Sequence, residues 1–257
     1  MAITVENDGG VGIVTMTNPP ANAYTKPVLA DLAAAIDEVR NDSDVRCIVL
    51  RSGLEKFFCA GADISVLDGA TPASFADFLT VAHETVDMIG RTPKIVIAAI
   101  AGHCIGGGLE LALACDIRFA AEGRFGLGLA EVGLGLSPGM GGTQRLPRLI
   151  PRGQALHMMI TGDTVGPREA HEMGIVERLH PVADFDDAVM DYARRLAAGP
   201  SLAQGHIKLS VNQGLEASLA QGLAIERANQ SLLFASEDAG EGVRAFLEKR
   251  KPEFNGR

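Results

Sequence analysis

The chain has 257 residues, 47% of them hydrophobic, which supplies a substantial core for one large domain and excludes a disordered polypeptide. With 23 basic and 32 acidic residues its formal net charge is -9, which argues against a general nucleic-acid or anionic-membrane surface but leaves room for a local basic pocket. Cys47, Cys59, Cys104 and Cys115 lie far apart with no C-x-x-C pair, the pattern of reduced thiols in a cytoplasmic protein.

The opening MAITVENDGG has neither a basic n-region nor an apolar h-region, so no signal peptide is expected. ITVEND and VGIVTM predict a hairpin turning on Asn7-Asp8-Gly9-Gly10. Leu29, Leu32, Ala33, Ile36 and Val39 then mark a helix face, and CIVLRS at 47–52 a strand. Residues 75–89 carry a second helical stripe, and IVIAAIA at 95–101 is a strand buried on both faces. The uncharged stretch 95–115 is interrupted by His103, three glycines and Glu110, and falls short of the roughly 20 residues of a membrane span. A helix from about residue 107, a strand at 117–120 and helices after Gly139 continue a β-α alternation, which predicts an α/β fold with a mainly parallel sheet. Beyond Gly199-Pro200 the strand signals stop, and 201–213, 215–236 and 238–250 read as helices. The expected division is therefore a core over 1–199 and a helical appendage over 200–257.

Within GHCIGGGLELALACD, residues 102–116, the glycines at 106–108 belong at a helix start, since each would cost roughly 1 kcal/mol inside a helix. That terminus offers free N–H groups and a partial positive charge to a ligand oxygen, or else the glycines serve close helix–strand packing. Glu110 follows in the first turn of a helix that is apolar all round. Burial there raises a carboxyl pKa toward the range useful for proton transfer, unless an arginine such as Arg118 or Arg145 pairs with it.

FFCAGADI at 57–64 again places small residues at a strand exit, where a second N–H could meet the same oxygen. FGLGLAEVGLGLSPGMGGTQRL at 125–146 brings a second carboxylate, Glu131, into an apolar loop. Two such groups can divide the work of adding water across a double bond.

Taken in order, NPPANAY at 18–24, CIVLRS, FFCAGADI, GHCIGGGLELALACDIRFA, LGLSPGMGGTQRLPRLIP and FLEKRKPEFNGR resemble segments of the crotonase superfamily, the enoyl-CoA hydratase/isomerase family, over essentially the whole chain. The resemblance implies a crotonase-like ββα spiral core with a C-terminal helical appendage. It implies an oxyanion hole from the N–H groups of Ala60 and Gly107, with Glu110 and Glu131 as the catalytic pair. Substrate and CoA contacts would fall on Ala21, Asn22 and Ala23, on Ala60, Gly61, Ala62, Asp63 and Ile64, and on Lys249, the last in a neighbouring subunit. Residues 66–80 would line the acyl pocket. One departure stands out: the family's F-G-x-P-E is replaced by Phe125-Gly-Leu-Gly-Leu-Ala-Glu131, two residues longer and with Ala130 in place of proline.

The resemblance implies an enoyl-CoA hydratase acting on an acyl-CoA thioester without metal or redox cofactor, coenzyme A being part of the substrate, in a homotrimer or homohexamer. A double-bond isomerase of the same family is the alternative, and a non-catalytic acyl-CoA or RNA-binding member a distant one. Other motifs fail in context. Gly135-Leu136-Ser137-Pro138-Gly139 spells G-x-S-x-G, but Pro138 has no N–H to serve an oxyanion hole. Gly126-x-Gly128 lacks the third glycine of a dinucleotide fingerprint. The six histidines are too scattered for a metal site, and His103, Ser137, Cys59 and Cys104 are expected to be structural.

Overall fold

A computed structural model describes residues 2–257. The hairpin forms as the sequence predicts. Strand β1 (Ala2–Asp8) pairs antiparallel with β2 (Val11–Thr17), and Gly9 and Gly10 turn the chain with φ of +61° and +89°, the left-handed pair that a two-residue hairpin loop requires. β2 then pairs parallel with β3 (Cys47–Ser52), which is followed across the sheet by β5 (Ile95–Ile100), β7 (Ile117–Ala121) and β9 (Arg178–His180), all parallel.

Both faces of this sheet are covered, so β5 is apolar throughout and β3 is apolar from Cys47 to Leu50. On one face Val14, Ile48, Leu50, Val96 and Ile100 pack with α1 (Lys26–Asn41) and α2 (Pro72–Arg91). On the other, Val11, Val49, Ile97 and Phe119 pack with α7 (Phe185–Ala197). Helix α2 begins before its apolar stripe because Thr71 and Ser74 form a capping box.

A second sheet is absent from the expectations above. Three short parallel strands, β4 (Phe57–Cys59), β6 (His103–Ile105) and β8 (Leu127–Gly128), lie side by side in that order. Helix α3 (Gly107–Ala114) leaves β6 directly. It is buried along its whole length beneath α4 (Gly142–Leu149), with α5 (Arg152–Thr161) and α6 (Pro167–Met173) following.

The tail is helical as expected: α8 (Ser201–Leu215), α9 (Leu219–Phe234) and α10 (Glu237–Glu248). Helix α8 is fastened to the main sheet. Lys208 is buried and bonds the carbonyls of Ile89 and Lys94, and it pairs with Asp116 at 2.8 Å. Among the described residues no helix is long and apolar enough to cross a membrane.

Candidate active site

Because the three short strands run parallel, the chain leaves all of them on one edge of the small sheet. β4 gives way to the loop 60–63, β6 to Gly106 and the N-terminus of α3, and β8 to Leu129, Ala130 and Glu131. The carboxyl ends of parallel strands are where α/β folds place ligands. A cavity of about 160 Å³ opens there, lined by Ala60, Gly61 and Ala62 from the first exit, Gly107 and Glu110 from the second, and Glu131 from the third. The three stretches singled out in the sequence thus meet, and the altered loop contributes one of the short strands. Leu127 and Gly128 of that loop are β8 itself, and Gly128 lies against Thr164 and the Asp163 carbonyl, where a side chain would be crowded.

Glu110 is 2% exposed. Its Oε1 accepts the N–H groups of Met140 and Gly142, each at 2.7 Å. The arginine alternatives are not realised. Arg118 pairs with Glu177, and Arg145 donates to the Met140 carbonyl and to Asp87. Burial pushes the Glu110 carboxyl above its ordinary value, while the two amides oppose the shift by bonding the ionised form. Glu131 starts a 3-10 turn, Glu131–Leu134, and is half-buried. Among the described residues its Oε2 is enclosed without a hydrogen-bond partner. Burial raises its pKa to about 7, the charge of Glu110 adding to the effect. The two carboxyls are thus differently disposed: one has donors aimed at its anion, the other has none on its inner oxygen.

The amides need one correction. The N–H of Ala60, expected as an oxyanion donor, is taken by the Ala21 carbonyl at 3.0 Å. Gly61, at φ +86°, turns the chain so that the next amide, that of Ala62, has no acceptor among the described residues. Gly107 opens α3, where an N–H has no partner within its own helix. Gly106 ahead of it adopts φ +56° and ψ -129°, a conformation open to glycine. Gly108 serves packing instead: a Cβ there would overlap the Cys59 carbonyl. The run thus carries an unpaired helix-start amide at Gly107 and close packing at Gly108, one residue apart.

The profile of the enoyl-CoA hydratase/isomerase family matches residues 6–257. The chain belongs to the enoyl-CoA hydratase/isomerase family. An enoyl-CoA hydratase structure from Geobacillus kaustophilus superposes with a TM-score of 0.97 at 43% identity, covering 99% of this chain and 97% of that one. An enoyl-CoA hydratase from Bacillus anthracis gives 0.94 at 34% identity, with 99% of each chain covered. In sequence, a crotonyl-CoA hydratase of Syntrophomonas wolfei is 34% identical over 98% of this chain and 97% of its own length.

Other residues implied by the family resemblance fall in different places. Asn22, at φ +53°, spends its side chain internally. Its Nδ2 donates to Ser52 and to the Phe58 carbonyl, and its Oδ1 accepts from the Asn18 amide. Ala21 and Ala23 likewise give their carbonyls to Ala60 and Asn18, so this loop braces the first strand exit. Asp63 caps the turn at Ser65, which holds its carboxyl below the usual range. Ile64 does line the cavity, as do Leu67, Phe75, Phe78 and Leu79 from the predicted acyl segment. Lys249 ends α10 in left-handed backbone and is not among the cavity-lining residues. His103 accepts the Gly126 amide, Cys59 bonds the Asn22 carbonyl, and burial pushes the Cys59 thiol to about 12. These contacts tie both side chains to neighbouring backbone.

Tyr24 and Met140 also line the cavity, without a role expected from the sequence of this family member. The only signal for Tyr24 is that it is one of two tyrosines in the chain and ends the NPPANAY stretch.

Proposed function

We propose that this protein is an enoyl-CoA hydratase, adding water across the C2=C3 bond of a trans-2-enoyl-CoA to give a 3-hydroxyacyl-CoA. The observation that carries the proposal is the meeting of Glu110 and Glu131 beside the open amide of Gly107 in one cavity. The thioester oxygen sits between the N–H groups of Ala62 and Gly107, which polarises the conjugated double bond and stabilises the enolate-like transition state. Glu110, whose anion is supported by two amides, takes a proton from water as the hydroxyl adds to C3. Glu131, protonated up to about pH 7, delivers its proton to C2. One proton then passes back between the carboxyls to reset the pair. The step balances with water alone, so no metal or redox cofactor is needed.

The acyl group is proposed to be uncharged. The carboxyl side chains on the cavity wall are Glu110 and Glu131, with no basic side chain among the described lining residues. A neighbouring hollow of about 740 Å³ past Ile64, Leu67, Phe75, Leu134 and Leu136 adds Asp68, so an acyl carboxylate would meet acidic groups alone. Coenzyme A would lie along the loop 60–63, with Lys249 reaching its phosphates from a neighbouring copy. A trimer or a hexamer of two trimers is supported by α9, which has no buried residue in the single chain. Leu219 and Phe234 on it are about four-fifths exposed. A cytoplasmic setting agrees with four free, buried cysteines.

The test follows the loss of conjugated enoyl-thioester absorbance with purified protein and with Glu110→Gln and Glu131→Gln. Each variant is expected to lose about 10²–10⁴-fold in rate. Absence of hydration by the wild type, with turnover of a 3-enoyl-CoA instead, would replace the proposal with double-bond isomerisation.

A further inference from the structure

Tyr24 reaches both the loop that carries Ala62 and the start of α3 at Gly107. Its backbone brackets Ala62: the Tyr24 N–H donates to the Gly61 carbonyl, and its own carbonyl accepts the Asp63 N–H, both at 2.9 Å. Its ring runs inward past Phe78, with centroids 6.2 Å apart. Its hydroxyl ends over Gly107, so close that a Cβ on that residue would overlap it. The side chain is 4% exposed and still forms part of the cavity wall.

The hydroxyl donates to the sulfur of Met140 at 2.6 Å. A thioether is a weak acceptor, so a phenol held beside the open amide of Gly107 keeps most of its capacity for a better one. Burial, with Cys59, Glu110 and Glu131 nearby, keeps the proton on the phenol. An oxygen received by the Gly107 amide therefore arrives next to a neutral O–H donor.

We propose that the Tyr24 hydroxyl is a third hydrogen-bond donor to the thioester oxygen, leaving the Met140 sulfur when the acyl-CoA enters. This rests on the hydratase reading of the site. The bond strengthens as negative charge gathers on the oxygen, because an O–H donor to an anionic oxygen makes a shorter and stronger bond than to a neutral one. It therefore favours the transition state over the bound substrate.

The experiment is an infrared difference spectrum of butyryl-CoA, carbon-13 labelled at the thioester carbonyl, bound to the intact protein, alongside hydration kinetics. The carbonyl band of the bound thioester should move to lower frequency in the wild type and move less in Tyr24→Phe. Hydration kcat should fall by about 10² with KM little changed. A residue that merely packs Met140 would alter the rate and leave the carbonyl band where the wild type has it, and that result overturns the proposal. Met140→Leu supplies a second arm: without its competing sulfur the hydroxyl should shift the carbonyl at least as far as in the wild type, and a smaller shift also counts against the proposal. A wild type that binds the thioester without moving its carbonyl band would overturn the oxyanion site as a whole. A full wild-type shift retained in Tyr24→Phe would remove the hydroxyl alone.

Discussion

A Cβ added to Gly61 would stand 2.9 Å from the amide nitrogen of Gly107 and 3.2 Å from the Ile105 carbonyl oxygen. Gly61 therefore does two things: its left-handed backbone presents the Ala62 amide, and its missing side chain leaves the Gly107 amide uncovered. Gly61→Ala should damage both donors while straining the loop by roughly 1–3 kcal/mol. The expected result is a loss of about 10²–10³-fold in kcat/KM for crotonyl-CoA hydration. A variant that melts a few degrees lower and still hydrates at close to the wild-type rate would show that neither amide serves the carbonyl.

Glu131 sets a pH dependence whose sign follows from its raised pKa. In the unfolded chain it titrates at about its ordinary 4.5, whereas in the folded protein it holds its proton to about 7. Its contribution to stability is complete below the first value and is lost as pH rises through the second. Glu131→Gln should therefore unfold at a higher denaturant concentration than the wild type at pH 8, the advantage shrinking toward pH 4.5. Hydration needs the protonated acid, so kcat/KM should fall about tenfold per pH unit above roughly 7, and because the reaction takes up and releases no net proton, dehydration of the 3-hydroxyacyl product should show the same limb. A wild-type kcat/KM that stays flat from pH 6 to pH 9 would assign the acid to another group.

The main sheet was legible because IVIAAI and the CIVL of CIVLRS are apolar runs of strand length, and the helices because Leu29 to Val39 and the stripe after Phe75 keep helical period. The small sheet was not. Strands of two or three residues, such as Leu127–Gly128, carry no period, and their pairing joins segments tens of residues apart. The two glutamates were legible as charges in apolar surroundings. The choice between Ala60 and Ala62 was not, because successive amides in a turning loop point different ways and the turn depends on φ at Gly61. Tyr24 escaped for the same reason as the sheet: its partners, Gly107 and Met140, are distant in the chain.

Adjacent glycines with different duties should separate in the laboratory. Gly108→Ala would drive a methyl into the Cys59 carbonyl, a backbone atom fixed in the small sheet, and should cost about 1–3 kcal/mol of stability. Gly133→Ala meets nothing within 4 Å and should leave thermal unfolding and activity close to the wild type. Equal melting temperatures for the two variants would mean that β4 and α3 are not packed as closely as described.

The fastening of α8 to the sheet can be tested through charge. Lys208, its side chain 2% exposed, lies 2.8 Å from Asp116, whose Oδ2 also accepts the Val96 N–H at 2.7 Å. Lys208→Met keeps the length of the side chain and strands a buried carboxylate, for which the cost is about 3–5 kcal/mol. Burial already holds the Asp116 pKa above its ordinary value, and the Lys208 charge works against that rise. Without the lysine the carboxyl should retain its proton to still higher pH. Protonation relieves the unpaired charge, so the stability deficit read from urea unfolding should be largest at pH 8 and should shrink by pH 5. A deficit equal at both pH values would attribute the loss to packing and to the Ile89 and Lys94 carbonyls left without their donor, and not to the ion pair.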